Sequence, residues 1–309
     1  MGNSTVEMVQ ASSCLIYSDL LKELKPFWIA HFVAVINCVL CLIAVLGNVL
    51  ILVALHNSLL HPPSKLLFRC LASTDLCVGL ISQPSFVISL ISEIEEHLSL
   101  CRISGHVVYI SSATLCGISL CILTMISVDR LLALLLGLRY RNVVTLARVR
   151  GIAILLWLLL SALSTLYFWS QAVFMIILCV IVLLCLAAST VCYSKIYFAL
   201  RYRQALVSQQ SEHGGPNMPT RARWLKYKRS VSSTVWVYMA LIACYLPFAV
   251  VQIVRAMHGD TLSLVVAEGC TTSLVYLNST INPAIYCWRM KEVRQAVKAA
   301  IRRFFFFCF

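Results

Sequence analysis

Hydrophobic residues along this chain gather into seven long runs separated by short polar stretches. The runs span Phe27–Leu55, Leu66–Ile91, Ile103–Leu136, Val149–Tyr167, Ala172–Leu200, Val231–Val254 and Leu262–Trp288. At a rise of about 1.5 Å per residue, roughly 20 helical residues cross the ~30 Å hydrocarbon core of a bilayer. Within hydrocarbon each backbone amide must be bonded inside its own segment, so every run predicts a helix. After Trp288 the pattern changes. Val293, Val297 and Ile301 alternate at helical spacing with Arg294, Lys298 and Arg302. That spacing predicts an amphipathic helix lying on a membrane surface, its basic face toward anionic lipid. The expected architecture is an all-α membrane protein. Residues 27–288 form a seven-transmembrane helix bundle, residues 1–26 precede it, and residues 289–309 hold the amphipathic helix and tail.

Charge gives this bundle an orientation. Arg139, Arg148, Arg201 and Arg229 fall between runs on one side, together with most of the other cations. The opposite side holds only Lys22, Lys25, Arg102 and Arg255. Lys and Arg accumulate on the cytoplasmic side of a membrane. The N-terminal segment is therefore expected outside the cell and the C-terminus inside, in a multi-pass protein of the plasma membrane. Asn3-Ser4-Thr5 is then an exterior sequon, with Asn3 as glycosylation acceptor. Asn278-Ser279-Thr280 fits the same pattern but lies mid-membrane, out of reach of glycosylation. The inner stretch Arg201–Arg229 contains Gly214-Gly215-Pro216 and Pro219, which predicts a flexible basic loop. The stretch Phe168–Gln171 is so short that the fourth and fifth helices must form a tight hairpin.

Composition agrees. Of 309 residues, 61% are hydrophobic and 12% charged, too few charges to cover a soluble domain. The excess of Lys and Arg over Asp and Glu, 25 against 12, is taken up by the inner side, and no nucleic-acid partner is expected. Most of the fifteen Cys sit inside apolar runs as small lipid-compatible side chains. Cys14, Cys101 and Cys270 fall on the outer side. Cys308, in the terminal Phe-rich segment, is a candidate for palmitoylation. No Cys/His cluster has metal-ligand spacing, no phosphate-binding glycine loop occurs, and no nucleophile–base pair is evident, so an enzyme is not expected.

Polar side chains inside the runs are costly, roughly 2.5–3.5 kcal/mol for an Asp at a helix centre on insertion scales. Asp75 is the only acid deep in the bundle, and Asn48, Ser119, Asn278, Ser279 and Asn282 share its depth. If Asp75, Ser119, Asn278, Ser279 and Asn282 converge, they form an oxygen-rich cage with one negative charge, which sodium would neutralise. Interhelical hydrogen bonding is the alternative reading of the same residues. Pro283 after Asn282, and Pro247 in Cys244-Tyr245-Leu246-Pro247, remove backbone bonds inside apolar helices and mark kink or hinge positions. Asp129-Arg130 closes the third run at the inner face, and Leu138 places an apolar side chain on an otherwise basic inner loop. Gln83, Tyr109, Ser112, Cys116, Gln252, Arg255, Glu268 and Tyr276 are the polar or aromatic residues in the outer halves of the second, third, sixth and seventh runs. They are the candidate ligand-facing set.

Taken in order, the motifs resemble the rhodopsin-like (class A) G-protein-coupled receptors over nearly the whole chain. Gly47-Asn48-Val49, Leu71-Ala72-Ser73-Thr74-Asp75-Leu76, Asp129-Arg130-Leu131, Trp157, Tyr193, Cys244-Tyr245-Leu246-Pro247 and Asn282-Pro283-Ala284-Ile285-Tyr286 each fall on their own run. The departures are specific. Gly105 stands where the family's helix 3 cysteine is expected, Cys185 replaces the helix 5 proline, and Tyr245 replaces a tryptophan. Leu120 and Leu241 replace bulkier residues. These departures are similar to those of melanocortin receptors and their adenosine, lipid and cannabinoid relatives, but Ser85, Gly105 and Tyr109 occupy the places of the melanocortin acids. With the usual bridge absent, Cys101 is expected to pair with Cys14 or Cys270.

The resemblance implies a receptor that transmits binding of an extracellular ligand to a heterotrimeric G protein. Asp129, Arg130, Leu138, Tyr193, Tyr245, Pro247, Pro283 and Tyr286 are the implied switch and coupling residues, and sodium is the implied allosteric modulator. The implied ion site favours the closed state. The competing readings are a receptor-like protein that does not signal, and a transporter, which needs a polar path that Asp75 alone does not make.

Overall fold

The computed structural model describes residues 27–56, 60–212, 219–259, 261–289, 293–299 and 302; for 27, 203, 204, 206–212, 219–237 and 289 the backbone alone is described. Seven long helices account for most of them. They are α1 (Phe27–His56), α2 (Pro62–Ile94), α3 (Leu98–Leu136), α4 (Leu146–Ser164), α5 (Gln171–Glu212), α6 (Pro219–His258) and α7 (Leu262–Arg289). Residues 293–299 form a further helix, α8.

Local chemistry sets the ends. Pro62 and Pro63 open α2, where a missing N–H costs nothing. Gly137, at φ 51°, ends α3 in a conformation that a side chain would strain, and a 3-10 turn over Gly137–Arg139 carries the chain into the short helical turn Tyr140–Val143. Thr145 caps α4 by accepting from the Arg148 N–H at 3.5 Å. A 3-10 turn over Thr165–Phe168 makes the tight connection to α5.

The structure departs from the sequence expectation in three places. First, α2 is not uniform: Val78–Ser82 form a π-helical turn just before Gln83-Pro84. Proline lacks the N–H that an α-helical ladder would use, and a π turn is one way a helix accommodates that gap. Second, the segment expected as a flexible loop over Arg201–Arg229 is mostly helical, because α5 runs to Glu212 and α6 begins at Pro219. The sequence from Ala199 to Glu212 is rich in Ala, Leu, Arg and Gln and free of Gly and Pro, so nothing in it stops a helix. Gly214, Gly215 and Pro216 lie outside the described residues. Third, six helical segments among the described residues are long and apolar enough to cross a membrane, and α7 is not one of them. Glu268, Thr271, Asn278, Ser279, Thr280 and Asn282 dilute its apolar character, and all six are buried in the bundle.

The helices form a closed ring around α3. α1 packs on α2 and α7, α7 on α6, α6 on α5, and α2 on α4, while α3 touches α2, α4 and α5. The interior is dense, with Leu71, Ala72, Val78, Ile118, Leu120 and Ile122 fully buried. Large apolar side chains such as Leu42, Leu46, Leu158 and Leu184 stand on the outer surface, as lipid contact requires. Lipid tails are as apolar as Leu, so burial alone does not hold such helices together, and close backbone approach contributes instead. At Gly47 an added Cβ would meet Pro283 Cγ at 3.0 Å, and at Gly79 it would meet Val45 Cγ2 at 3.0 Å. These two glycines let α1 close on α7 and on α2. Val293 and Val297 of α8 are buried against the same core, while Lys298 is exposed, which fits the amphipathic pattern.

Candidate functional site

Three polar networks lie along the axis of the bundle, and most of the residues singled out in the sequence fall into one of them.

The middle network centres on Asp75, which is fully buried. Its Oδ1 accepts from Ser119 Oγ of α3 at 2.8 Å and from Ser279 Oγ of α7 at 2.8 Å. Its Oδ2 accepts from Asn282 Nδ2 at 2.7 Å. One carboxylate thus ties α2, α3 and α7 together. Asn48 extends the network to α1 by donating to the Ser279 carbonyl at 3.1 Å. Asn278 was expected in this cage and does not join it. It is buried, but its Nδ2 has no hydrogen-bond partner among the described residues. Asn278 and Ser279 both lie within one helix face of Asn282, and the position of Asp75 selects Ser279.

At the end of the bundle that holds Asp129, the carboxylate is fully engaged. Tyr140 donates to Oδ1 at 2.5 Å, Ser64 donates to Oδ2 at 3.0 Å, and Arg130 Nε lies 3.9 Å from Oδ2. The Arg130 guanidinium packs over the Phe68 ring at 5.7 Å, and Phe68 meets Tyr286 edge-on at 4.9 Å. Arg130 Nη2 is buried without a partner among the described residues. Tyr193 packs against Tyr238 of α6 at 5.5 Å, and Thr190 pairs with the Tyr238 hydroxyl at 2.8 Å. Leu138 is 98% exposed on its turn. Deeper in, Tyr245 donates to the Cys116 carbonyl at 3.3 Å, joining α6 to α3, and Pro247 and Pro283 both lie inside unbroken helices.

At the opposite end, Glu268 gathers three of the expected ligand-facing residues. Gln252 donates to its Oε1 at 2.7 Å, Tyr109 approaches the same oxygen at 3.5 Å, and Arg255 forms an ion pair with Oε2. One step deeper, Ser112 and Tyr276 share a 2.6 Å hydrogen bond, and Phe86 packs edge-on against Tyr276 at 5.6 Å. Gln83 is fully buried, and neither atom of its amide is bonded among the described residues. The Cys116 side chain is buried and enters none of these bonds. An aromatic group formed by His106, Tyr109, Tyr167 and Phe168 caps this end.

Cys101 is disulfide-bonded, and its partner lies outside the described residues. Cys270 is a free, exposed thiol, which removes it as the expected partner. A residue on the outward face of α7 has no route to α3 through the packed bundle. Asn3, Cys14 and Cys308 also lie outside the described residues.

Sequence reading missed Ser64 and Tyr140 as the groups that hold Asp129. Ser64 follows Pro62-Pro63 in the first turn of α2, and Tyr140 follows the Gly137 turn. Nothing in their spacing shows that the two turns meet. Reading also missed Asn37, whose amide donates to Ser273 at 2.8 Å and joins α1 to α7.

Each network sits between helices that are remote in sequence, and the motif residues Asn48, Asp75, Arg130, Asn282 and Tyr286 all point inward. The model of the 7 transmembrane receptor (rhodopsin family) matches residues 47–173 and 164–286, which is well over half of the chain and takes in those five residues. The chain is therefore a member of the rhodopsin family of seven-transmembrane receptors.

Proposed function

We propose that this receptor transmits the binding of an extracellular ligand at the Glu268 end to a heterotrimeric G protein at the Arg130 end, across the plasma membrane. The observation that carries the reading is the state of the Asp129 end. Ser64 and Tyr140 pin the Asp129 carboxylate, while the Arg130 guanidinium lies folded against Phe68 with one nitrogen that has no partner among the described residues. A buried cationic nitrogen without a partner is costly, so an arrangement that supplies one recovers that cost. A G protein that offers carbonyl acceptors there would favour that arrangement. By linkage, a ligand that favours the same arrangement from the other end strengthens G-protein binding by the same factor.

In this reading the N-terminus is outside the cell, and Gln83, Tyr109, Ser112, Cys116, Gln252, Arg255, Glu268 and Tyr276 form the region that meets ligand. Arg130, Leu138, Tyr193 and Tyr286 meet the G protein or brace its cleft.

Sodium fits the middle network. Hydroxyl groups rotate, so Ser119 and Ser279 can turn their lone pairs to a cation while Asp75 supplies the charge. Asn282 can do the same by turning its amide. A cation held there ties α2, α3 and α7 in the observed arrangement and so opposes the signalling one.

The test is a ligand screen with purified heterotrimeric G proteins and nucleotide exchange as the readout. An active compound should lose potency when Glu268, Arg255 or Tyr276 is replaced by Ala at equal surface expression. An active compound indifferent to all three would remove the ligand site from this region.

A further inference from the structure

Two thiols face each other across the middle of the bundle, away from all three networks. Cys121 of α3 and Cys185 of α5 hold their Sγ atoms 3.8 Å apart, and both cysteines are free and half-buried. Thr124, one turn along α3 from Cys121, donates its hydroxyl to the Leu120 carbonyl at 3.0 Å. Its hydroxyl also meets Ser189 Oγ, one turn along α5 from Cys185, at 3.3 Å. Cys121 is nine residues before Arg130, about 13 Å along the helix axis, which places the pair deep in the hydrocarbon. A disulfide needs an S–S bond of about 2.05 Å, so the sulfurs must approach by about 1.8 Å, which small side-chain rotations on two packed helices supply.

We propose that Cys121 and Cys185 are an oxidisable dithiol, a modification site that reacts with hydroperoxides to form a disulfide between α3 and α5. The step balances without any further reductant or oxidant. Cys185 Sγ attacks one oxygen of the O–O bond, that bond breaks, and the thiol proton passes to the departing oxygen. The products are a sulfenic acid on Cys185 and an alcohol, or water when the oxidant is hydrogen peroxide. Cys121 Sγ then attacks the Cys185 sulfur, the S–S bond forms, and hydroxide leaves with the Cys121 proton as water. The two sulfurs are interchangeable in this step, since either can be oxidised first and then attacked by the other. The linked form locks α3 to α5 in the arrangement seen here.

The test uses the full chain reconstituted in phosphatidylcholine vesicles. One arm adds hydrogen peroxide to the aqueous phase, and the other includes linoleic acid hydroperoxide in the bilayer. After quenching with N-ethylmaleimide, peptide mass spectrometry reads which cysteines are linked. The expected result is a reducible Cys121–Cys185 peptide, with both thiols lost from alkylation together. Formation mainly in the bilayer arm assigns the source to lipid hydroperoxides, and formation mainly in the aqueous arm assigns it to peroxide. In Cys121→Ser and in Cys185→Ser no link should form, and a sulfenic acid on the remaining thiol should be trapped by dimedone. The proposal is overturned if Cys270, which is exposed, oxidises in both arms while Cys121 and Cys185 remain alkylatable. Oxidation of the two without a link between them overturns it equally.

Discussion

Replacing Asp75 by Asn and by Ala separates its charge from its hydrogen bonds. In Asp75→Asn the remaining carbonyl oxygen still accepts from Ser119 and Ser279, which are both bonded to Oδ1 in the native protein. The new amide faces Asn282 Nδ2, and rotating the Asn282 amide by 180° restores a donor–acceptor pair. Three bonds survive and the charge is gone. Asp75→Ala removes every acceptor and leaves Ser119, Ser279 and Asn282 unpaired at 0%, 1% and 3% exposure. Interhelical hydrogen bonds in membranes average about 0.6 kcal/mol and reach about 1.7. Three of them make the expected loss for Ala about 2 kcal/mol, with about 5 as the upper bound, and the loss for Asn under about 1 kcal/mol. Sodium bound only to this arrangement would add about 1.4 kcal/mol at ten times its Kd. Thermal unfolding in mild detergent, followed by alkylation of buried cysteines, measures all of these. Runs in sodium chloride are compared with runs in N-methylglucamine chloride at equal ionic strength. The unmodified receptor should melt higher in sodium, Asp75→Asn should melt near the native protein without sodium, and Asp75→Ala should melt lowest; neither variant should respond to sodium. Equal melting of the two variants would refute the hydrogen-bond reasoning. Indifference of the unmodified receptor to the cation exchange would end the sodium reading.

Three further outcomes follow from the same geometry. Glu268 and Arg255 are 11% and 17% exposed, so Glu268→Ala strands a largely buried guanidinium and should cost on the order of 3 kcal/mol, whereas the double replacement with Arg255→Ala should cost less than that single change; a double variant as unstable as the sum of the singles would contradict an ion pair. Gly47→Ala drives a methyl to 3.0 Å from Pro283 and should destabilise by about 1 kcal/mol or more, with Gly47→Val worse in the same unfolding assay; unchanged melting would show that α1 and α7 part freely. Helix α7 contains no Lys to form a retinal Schiff base, so reconstitution with 11-cis-retinal should give no red-shifted absorbance band.

The bundle was legible in the sequence because a membrane leaves few alternatives: a long apolar run with satisfied backbone is a helix. Helix ends were less legible. Arg and Gln continue a helix as readily as Leu, so α5 ran past the boundary set by hydropathy to Glu212. The middle network was foreseen from the cost of burying Asp75: of the four partners expected, Ser119, Ser279 and Asn282 bond to it and Asn278 does not. Asn278 and Ser279 both share a helix face with Asn282, and only the neighbour's position chooses between them. Ser64, Tyr140 and the Cys121–Cys185 contact depend on which turns of distant helices meet, and one sequence carries no record of that. The Glu268 cluster lay between these cases: its members were selected for polarity and depth, and their mutual bonds came only from packing α3, α6 and α7.

The central claim is that the Asp129 end is a switch for a G protein. It can be measured without a ligand, as basal nucleotide exchange on a panel of purified heterotrimeric G proteins. Asp129→Asn removes the charge that Ser64, Tyr140 and Arg130 surround and should release Arg130 from its folded position. The account predicts that Asp129→Asn raises basal exchange above the unmodified receptor on at least one G protein, and that adding Arg130→Ala abolishes the rise at equal receptor abundance. Exchange at the receptor-free background for the native protein and Asp129→Asn alike, across every G protein and with both receptors folded by thermal unfolding, would contradict it.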